Sequence, residues 1–541
     1  MLDELIASSN LLHAALERYW AACLTIQRSY TQGDKHHTTS ELALRMDSEA
    51  EFAASLEVKL QEAKAAIEWS RNRSRYIAIN DLPSEVLAHI FHLVLSSQPC
   101  AKKDYLYVKT DVDMVYPVTL SHVCSYWRKI TFGTVTLWSH IDISTSATLN
   151  QRCLNRLAQL HLDHAGQTPV ELHVFDSRGY PASPFGRYDP LHALITQLLS
   201  RTFSFNLDAN QTYDCAIHGG ILSTLLEGSV AGKLVQITMR HGNIGHSVIR
   251  GKDDLNSNPE DVRVDLSTEQ LDVLLSSVSI LRLERMYSLW NSRAYQGLVE
   301  LRLKGMYSSI YITEVELVGI LRSSPGLRVL ELGIEIDDPL PIDAQVTEVF
   351  LESLEALDVS QTRCYWYATL LRWLTPGPKA LQLILHRGRY QGLEVKRSLG
   401  PFLSRSYVTR VYETGLKILH IIELLELCPN LQELAISRID AHIPDPLRVE
   451  DIGGTALAHL DHLYITGVQI HIEDIVTLLS IPTFAVKRVV FYDCTLLGGG
   501  SLVTRNQGDT QLEELYRNNP DVEFIQWTDI PSPIKGWNAF E

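Results

Sequence analysis

Residues 81–91 read Asp81-Leu82-Pro83-Ser84-Glu85-Val86-Leu87-Ala88-His89-Ile90-Phe91. Asp81 is a residue type that caps helix N-termini. Pro83 suits the first turn, where its missing N–H has no partner to lose, and Glu85 suits the positive end of the dipole. Val86, Leu87, Ile90, Phe91 and Val94 recur at three- and four-residue steps, which predicts a short helix with one apolar face. Downstream comes Leu120-Ser121-His122-Val123-Cys124-Ser125-Tyr126-Trp127-Arg128-Lys129-Ile130, then Leu137-Trp138-Ser139-His140-Ile141. The stretch between, 96–118, carries Lys102, Lys103, Asp104, Tyr105, Asp111, Asp113 and Pro117 and reads as an inserted loop.

Together these strings resemble the F-box: Leu-Pro-x-Glu-hydrophobic-Leu, then Ile-Phe, then Leu-x-x-Val-Cys-x-x-Trp-Arg, then Leu-Trp. The resemblance implies a small all-α module over 77–143 that docks on a Skp-type adaptor and, through it, a cullin. It also implies that Leu82, Pro83, Leu87, Ile90, Phe91, Val123 and Trp127 form the adaptor-binding set, some as core and some as contact. The loop at 96–118 departs from the family pattern and leaves open how closely the family's packing is kept there.

Upstream, Leu5, Ser9, Leu12, Leu16, Tyr19, Cys23 and Ile26 alternate at four and three residues, as in a coiled-coil seam. After a polar loop with Gly33 and His36-His37, Phe52, Leu56, Leu60, Ala63 and Ile67 mark a second helix. Residues 1–72 are therefore expected to form an antiparallel helical hairpin or, through the same seams, a coiled-coil homodimer. Arg71, Arg73 and Arg75 read as favourable charges at a helix C-terminus.

Downstream, a leucine-x-x-leucine-x-leucine spacing returns as Leu298/Leu301/Leu303, Leu327/Leu330/Leu332, Leu354/Leu357/Val359, Leu431/Leu434/Ile436 and Leu460/Leu463/Ile465. The same spacing occurs at Val278/Leu281/Leu283, and looser copies are Trp138/Ile141/Ile143, Leu234/Ile237/Met239, Val486/Val489/Phe491 and Val522/Ile525/Trp527. The first positions 298, 327 and 354 lie 29 and 27 residues apart, the long end of the leucine-rich-repeat period. Helical strings lie between, such as 268–276, 313–322, 365–374, 416–427, 472–479 and 512–517, and prolines at 325, 429 and 520 punctuate the return to a strand. The expected fold class is α/β: the hairpin, the F-box, then a leucine-rich-repeat solenoid over 144–530. Its parallel strands would lie on the concave side and its helices on the convex side. Residues 144–230 read as degenerate repeats, 177–190 as a loop, 386–412 as an irregular insert and 531–541 as a tail. A barrel or doubly wound sheet fits less well. Its strands would be nearly continuous apolar runs, whereas Leu301-Arg302-Leu303, Leu330-Glu331-Leu332 and Leu357-Asp358-Val359 alternate, predicting one packed and one wet face. At least nine candidate units also exceed an eight-fold barrel.

The 541 residues are 45% hydrophobic and carry a net charge of -16, which argues against nucleic-acid binding through bulk charge. The richest apolar run, 416–428, is broken by Lys417, His420, Glu423 and Glu426, so no membrane span is expected. Met1-Leu2-Asp3-Glu4 lacks the basic start of a signal peptide. Eight scattered cysteines without a Cys-x-x-Cys read as reduced thiols, and the expected location is cytoplasmic or nuclear. No Walker, dinucleotide, nucleophile-elbow or His-Glu-x-x-His motif occurs. The His-x-x-His pairs 89/92, 161/164 and 459/462 lack further ligands, so neither a catalytic site, a metal nor a cofactor is expected.

An F-box followed by leucine-rich repeats resembles the substrate receptors of Skp–cullin–F-box ubiquitin ligases, and the combination here looks like the F-box proteins expanded in mushroom-forming fungi. That resemblance implies a non-enzymatic receptor whose repeats hold an unknown protein substrate. The alternative is a repeat scaffold acting without a ligase; an α/β enzyme has only the strand–helix alternation behind it. Substrate contacts are expected between the strand leucines, at Arg282, Arg302, Glu331, Asp358, Glu433, Ala435, Tyr464 and Tyr492. Arg302, Tyr464 and Tyr492 come first because Arg and Tyr dominate binding hot spots.

Overall fold

The computed structural model describes residues 2–31, 40–73, 78–97, 117–145, 149–175, 190–209, 215–229, 232–242, 247–256, 258, 260–305, 310–341, 344–345, 347–362, 364–386, 393–414, 424–425, 427–437, 460–467, 469–471, 486–498, 501–502, 517, 522–525, 534 and 537. The chain divides into two compact units, 1–87 with 122–128, and 88–121 with 129–541.

In the first unit, helices α1 (Leu2–Thr31) and α2 (Ser40–Arg73) form, and the Tyr19 hydroxyl donates to Glu49 Oε2 at 3.4 Å between them. The seam residues Leu5, Leu12, Leu16, Ile26, Phe52, Leu60 and Ile67 are nevertheless exposed. Helix α3 (Ser84–Ser97) and helix α5 (Ser125–Gly133) each contribute to both units, with the one-turn α4 (Val118–Ser121) between them. Asp81 does not cap α3. It closes a 3-10 turn (Ala78–Asp81), and the Pro83 carbonyl accepts the Leu87 N–H at 3.1 Å, which puts the helix start two residues later. Of the expected 96–118 loop, residues 98–116 lie outside the described residues; Pro117 and Val118 already belong to the start of α4.

Among the described residues, the second unit carries a sheet of fourteen strands. In chain order they are β1 (His140–Ser144), β2 (Val170–Phe175), β3 (Thr202–Ala209), β4 (Gln236–His241), β5 (Ile280–Glu284), β6 (Glu300–Lys304), β7 (Val329–Gly333), β8 (Ala356–Asp358), β9 (Leu381–His386), β10 (Val408–Thr414), β11 (Glu433–Ser437), β12 (Leu460–Thr466), β13 (Val486–Tyr492) and β14 (Val522–Ile525). Every neighbouring pair is parallel, and spatial order equals chain order throughout, whereas a doubly wound sheet reverses its direction of growth. One register row is apolar along its length: Ile141, Leu172, Phe205, Ile237, Leu281, Leu301, Leu330, Leu357, Leu383, Val411, Leu434, Leu463 and Val489 are all buried. These side chains, two residues apart from a second apolar row, build the core on one face of the sheet.

Between strands the chain turns back through helices whose starts are set by their own sequence. Ser267 and Gln270 form a reciprocal capping box on the helix Thr268–Leu275, and Thr313 and Glu316 do the same on Glu314–Arg322. Strand exits are equally local. Arg285, Gly467 and Asp493 each follow the last residue of a strand with positive φ (58°, 64° and 52°), a left-handed step that breaks the strand direction. The expected helices at 268–276, 313–322 and 365–374 form, whereas 472–479 and most of 416–427 and 512–517 lie outside the described residues.

Two expectations are corrected. Residues 386–412 are not an irregular insert. They hold the helix Leu393–Ser404 and most of β10, a full member of the sheet. The residues between the strand leucines are not wet: Arg302, Glu331 and Asp358 are buried, because each charge is held in an ion pair or hydrogen bond along the sheet. In 144–230, strands β2 and β3 share the register of the rest, while 176–189, which include nearly all of the expected loop, lie outside the described residues.

Candidate functional site

The two halves of the 81–141 motif are tied together locally. In the first unit, Trp127 Nε1 donates to Asn80 Oδ1 at 3.1 Å and the Tyr126 hydroxyl donates to the Leu82 carbonyl at 3.1 Å. The Cys124 carbonyl accepts the Arg128 N–H at 2.9 Å and opens α5. Pro83 and Val123 are exposed, the latter at 50%, and Leu82 and Trp127 are half-buried; Leu87 is fully buried at 0%. In the second unit Ile90 is half-buried and Phe91 is buried at 1%. Leu87 and Phe91 are thus core residues, whereas Leu82, Pro83, Ile90, Val123 and Trp127 each keep exposed surface. Trp138 is core: it stacks on Phe132 at 5.3 Å and donates from Nε1 to the Thr131 carbonyl at 2.9 Å.

Most of the other candidate residues fall on one register row of the sheet, on the face opposite the leucines. It runs Asp142, His173, Asn206, Thr238, Arg282, Arg302, Glu331, Asp358, Ile384, Tyr412, Ala435, Tyr464, Val490 and Glu523. Arg282, Arg302, Glu331, Asp358 and Tyr464 lie on the row itself. Glu433 and Tyr492 are two residues off it, at opposite strand ends. The row is polar from β1 to β8 and mainly apolar or aromatic from β9 to β13.

In the polar half, Glu300 Oε1 accepts from Arg282 Nε and from Arg302 Nε, each at 2.5 Å, and Lys304 Nζ lies 2.7 Å from Glu331 Oε1. Burial pushes the Glu300 carboxyl up, but the two guanidiniums outweigh it and hold it below the usual carboxylate range. Burial pushes Glu331 and Asp358 up, and there it prevails over the neighbouring cations and, at Asp358, the Ser360 N–H.

The aromatic half is covered by the chain itself. Trp537, 7% exposed, packs with Ala435, Tyr464 and Val490, flanked by Tyr412 and Ile534. Its ring meets Tyr464 edge-on at 5.2 Å and lies 5.4 Å from the Arg410 guanidinium, and its carbonyl accepts from Gln382 Nε2. The residues 531–541, read from sequence only as a tail, therefore place a side chain directly on Tyr464. A lone Trp between turn-forming residues gave no periodic signal to identify it.

At the β1 end, sequence reasoning also missed a cluster. His140 and Asp142 on β1 and His173 on β2 bring one ligand atom each within 4.8 Å of one another. His140 Nε2 lies 3.1 Å and His173 Nδ1 3.3 Å from Asp142 Oδ1, while His140 Nδ1 lies 3.1 Å from Glu171 Oε2. Burial pushes the Asp142 carboxyl up, but hydrogen bonding and charge from His140 and then His173 overcome it and hold it far below the usual range. The His161/His164 pair does not converge as ligands. His161 Nδ1 contacts the His140 carbonyl at 2.8 Å, and both rings pack on Trp138. The available signal was His140-x-Asp142, two residues that a strand places on one side.

Residues 79–144 match the F-box-like family. No curated protein matches the chain. No helix among the described residues is long and apolar enough to cross a membrane.

Proposed function

We propose that this protein is an F-box substrate-recognition subunit of a cullin ubiquitin ligase. The supporting observation is the F-box-like match over 79–144, whose two motif halves are tied together by Trp127–Asn80 and Tyr126–Leu82. In this reading Leu82, Pro83, Ile90, Val123 and Trp127 touch a Skp-type adaptor, and the adaptor joins the chain to a cullin. The fourteen-stranded sheet is a leucine-rich-repeat domain that holds a protein substrate. The receptor forms no bond itself; it raises the effective concentration of substrate lysines near the charged enzyme. The substrate meets the polar half of the row at the part-exposed Arg282, beside the buried Arg302, Glu331 and Asp358, with Glu433, Tyr464 and Tyr492 engaged where Trp537 gives way. The hairpin over 1–72 pairs with a second copy through its exposed seam.

Truncating a single hot-spot side chain costs about 2 kcal/mol or more. The Leu82→Ala, Pro83→Ala double variant should therefore lose adaptor capture by about thirty-fold or more, with the sheet still folded by circular dichroism. Undiminished capture would refute the receptor reading and favour a scaffold acting without a ligase.

A further inference from the structure

The cluster at the β1 end of the row has the composition and the outer support of a metal centre. His140, Asp142 and His173 come from two paired strands, and the register Asp142↔His173 together with the two-residue side-chain alternation puts all three on one face. The near nitrogens, His140 Nε2 and His173 Nδ1, both turn to Asp142 Oδ1, at 3.1 and 3.3 Å. The far nitrogens are both engaged. Glu171 Oε2 lies 3.1 Å from His140 Nδ1, and the Asn206 side-chain amide abuts His173 Nε2. A metal-bound imidazole uses one nitrogen as ligand and donates the other N–H to a carboxylate or amide oxygen, and each ring here has that second partner in place.

The ring tautomers fit the same arrangement. With a divalent cation between the near nitrogens and Asp142, the neutral His140 ring suffices: Nε2 binds the ion and Nδ1–H donates to Glu171. His173 behaves alike once the Asn206 amide presents its oxygen, and O and N of that amide are interchangeable by a half-turn of the side chain. Asp142 and His173 are nearly buried and His140 keeps 29% of its side-chain surface, which leaves a route for the ion.

We propose that His140 Nε2, Asp142 and His173 Nδ1 bind a divalent transition metal, zinc by ligand type, with Glu171 and Asn206 as positioning residues. Two imidazoles and one carboxylate suit Zn²⁺, whereas Mg²⁺ and Ca²⁺ prefer oxygen ligands alone. The ion would clamp β1, the last strand within the F-box-like match, to β2.

The test uses the full chain, stripped with chelator, dialysed and titrated with zinc chloride by calorimetry at neutral pH. One zinc per chain is expected, with a rise in the melting temperature of the loaded protein. Magnesium chloride should give no comparable heat. His140→Ala removes the most exposed ligand and should abolish that site while the circular dichroism spectrum is kept. Glu171→Gln, which leaves all three ligands intact, should weaken zinc by about 10- to 100-fold. Absence of zinc binding by the wild-type chain, or undiminished stoichiometry and affinity in the folded His140→Ala variant, would overturn the site.

Discussion

Replacing Trp537 by alanine tests how the aromatic half of the sheet face is held. The side chain is 7% exposed and rests on Ala435, Tyr464 and Val490. A buried indole removes about 150–250 Å² from water, and at about 25 cal/mol per Å² that is about 4–6 kcal/mol as an upper bound. Measured truncations of buried Phe and Trp to Ala cost about 3–5 kcal/mol. Within that total, the edge-on contact with Tyr464 contributes about 0.5–1.5 kcal/mol and the Arg410 contact about 0.5–1 kcal/mol, since Arg410 is half-exposed. The leucine rows lie on the other face of the sheet, so the loss should fall on docking of the segment around 534–537 and not on the sheet. A cost of about 3–5 kcal/mol lowers its docked-to-free ratio by about two to three and a half orders of magnitude. Hydrogen exchange should then rise at the Trp537 amide, which donates to the Ile534 carbonyl at 2.9 Å, while the β9–β12 amides stay protected. A double-mutant cycle with Tyr464→Ala should return a coupling of about 0.5–1.5 kcal/mol. Unchanged exchange in Trp537→Ala, or a coupling of zero, would refute the reasoning.

Asp358→Asn removes a buried charge but keeps the acceptor for the Ser360 N–H, now 2.8 Å from Asp358 Oδ1. Burial raises the folded-state value of Asp358 above that of the unfolded chain. Its favourable contribution is thus full below the ordinary carboxylate value and lost as pH rises through the raised one. The variant should therefore exceed the wild type in urea resistance at pH 8 and converge with it near pH 4; a deficit at pH 8 contradicts this. Thr313→Ala should cost about 1 kcal/mol through its capping box, seen as faster amide exchange in Glu314–Arg322. Light scattering should report a dimer for the full chain and a monomer for one beginning near Arg75; equal oligomeric states would remove the paired-hairpin reading.

The leucine spacing made most strands legible, because an apolar residue at each of three fixed positions is a strong signal. It failed where one position was filled otherwise. Strand β10 reads Val408, Val411 and then Glu413, which pairs with Leu385 and Ile436 in the second apolar row and is buried. That carboxylate broke the pattern and hid the strand within a supposed insert. The F-box strings were legible as a motif, but not which residues were core: Leu87 and Phe91 carry the same pattern as the half-buried Ile90. The His140–Asp142–His173 cluster and the seating of Trp537 depend on register across 31 and 155 residues, and such pairings leave no mark at short spacing.

Because spatial order in the sheet equals chain order, each strand finds its partner in the strand made just before it. Loop closures stay short, so assembly during synthesis can follow the chain from β1 onward without waiting for distant segments. The Gln382–Trp537 contact is the exception, spanning 155 residues. Among the described residues, the cover on Ala435, Tyr464 and Val490 comes from Trp537, with Tyr412 and Ile534 packed beside it, so it waits until residue 537 has been made. A nascent or truncated molecule that lacks Trp537 therefore leaves Ala435, Tyr464 and Val490 without the indole that packs on them.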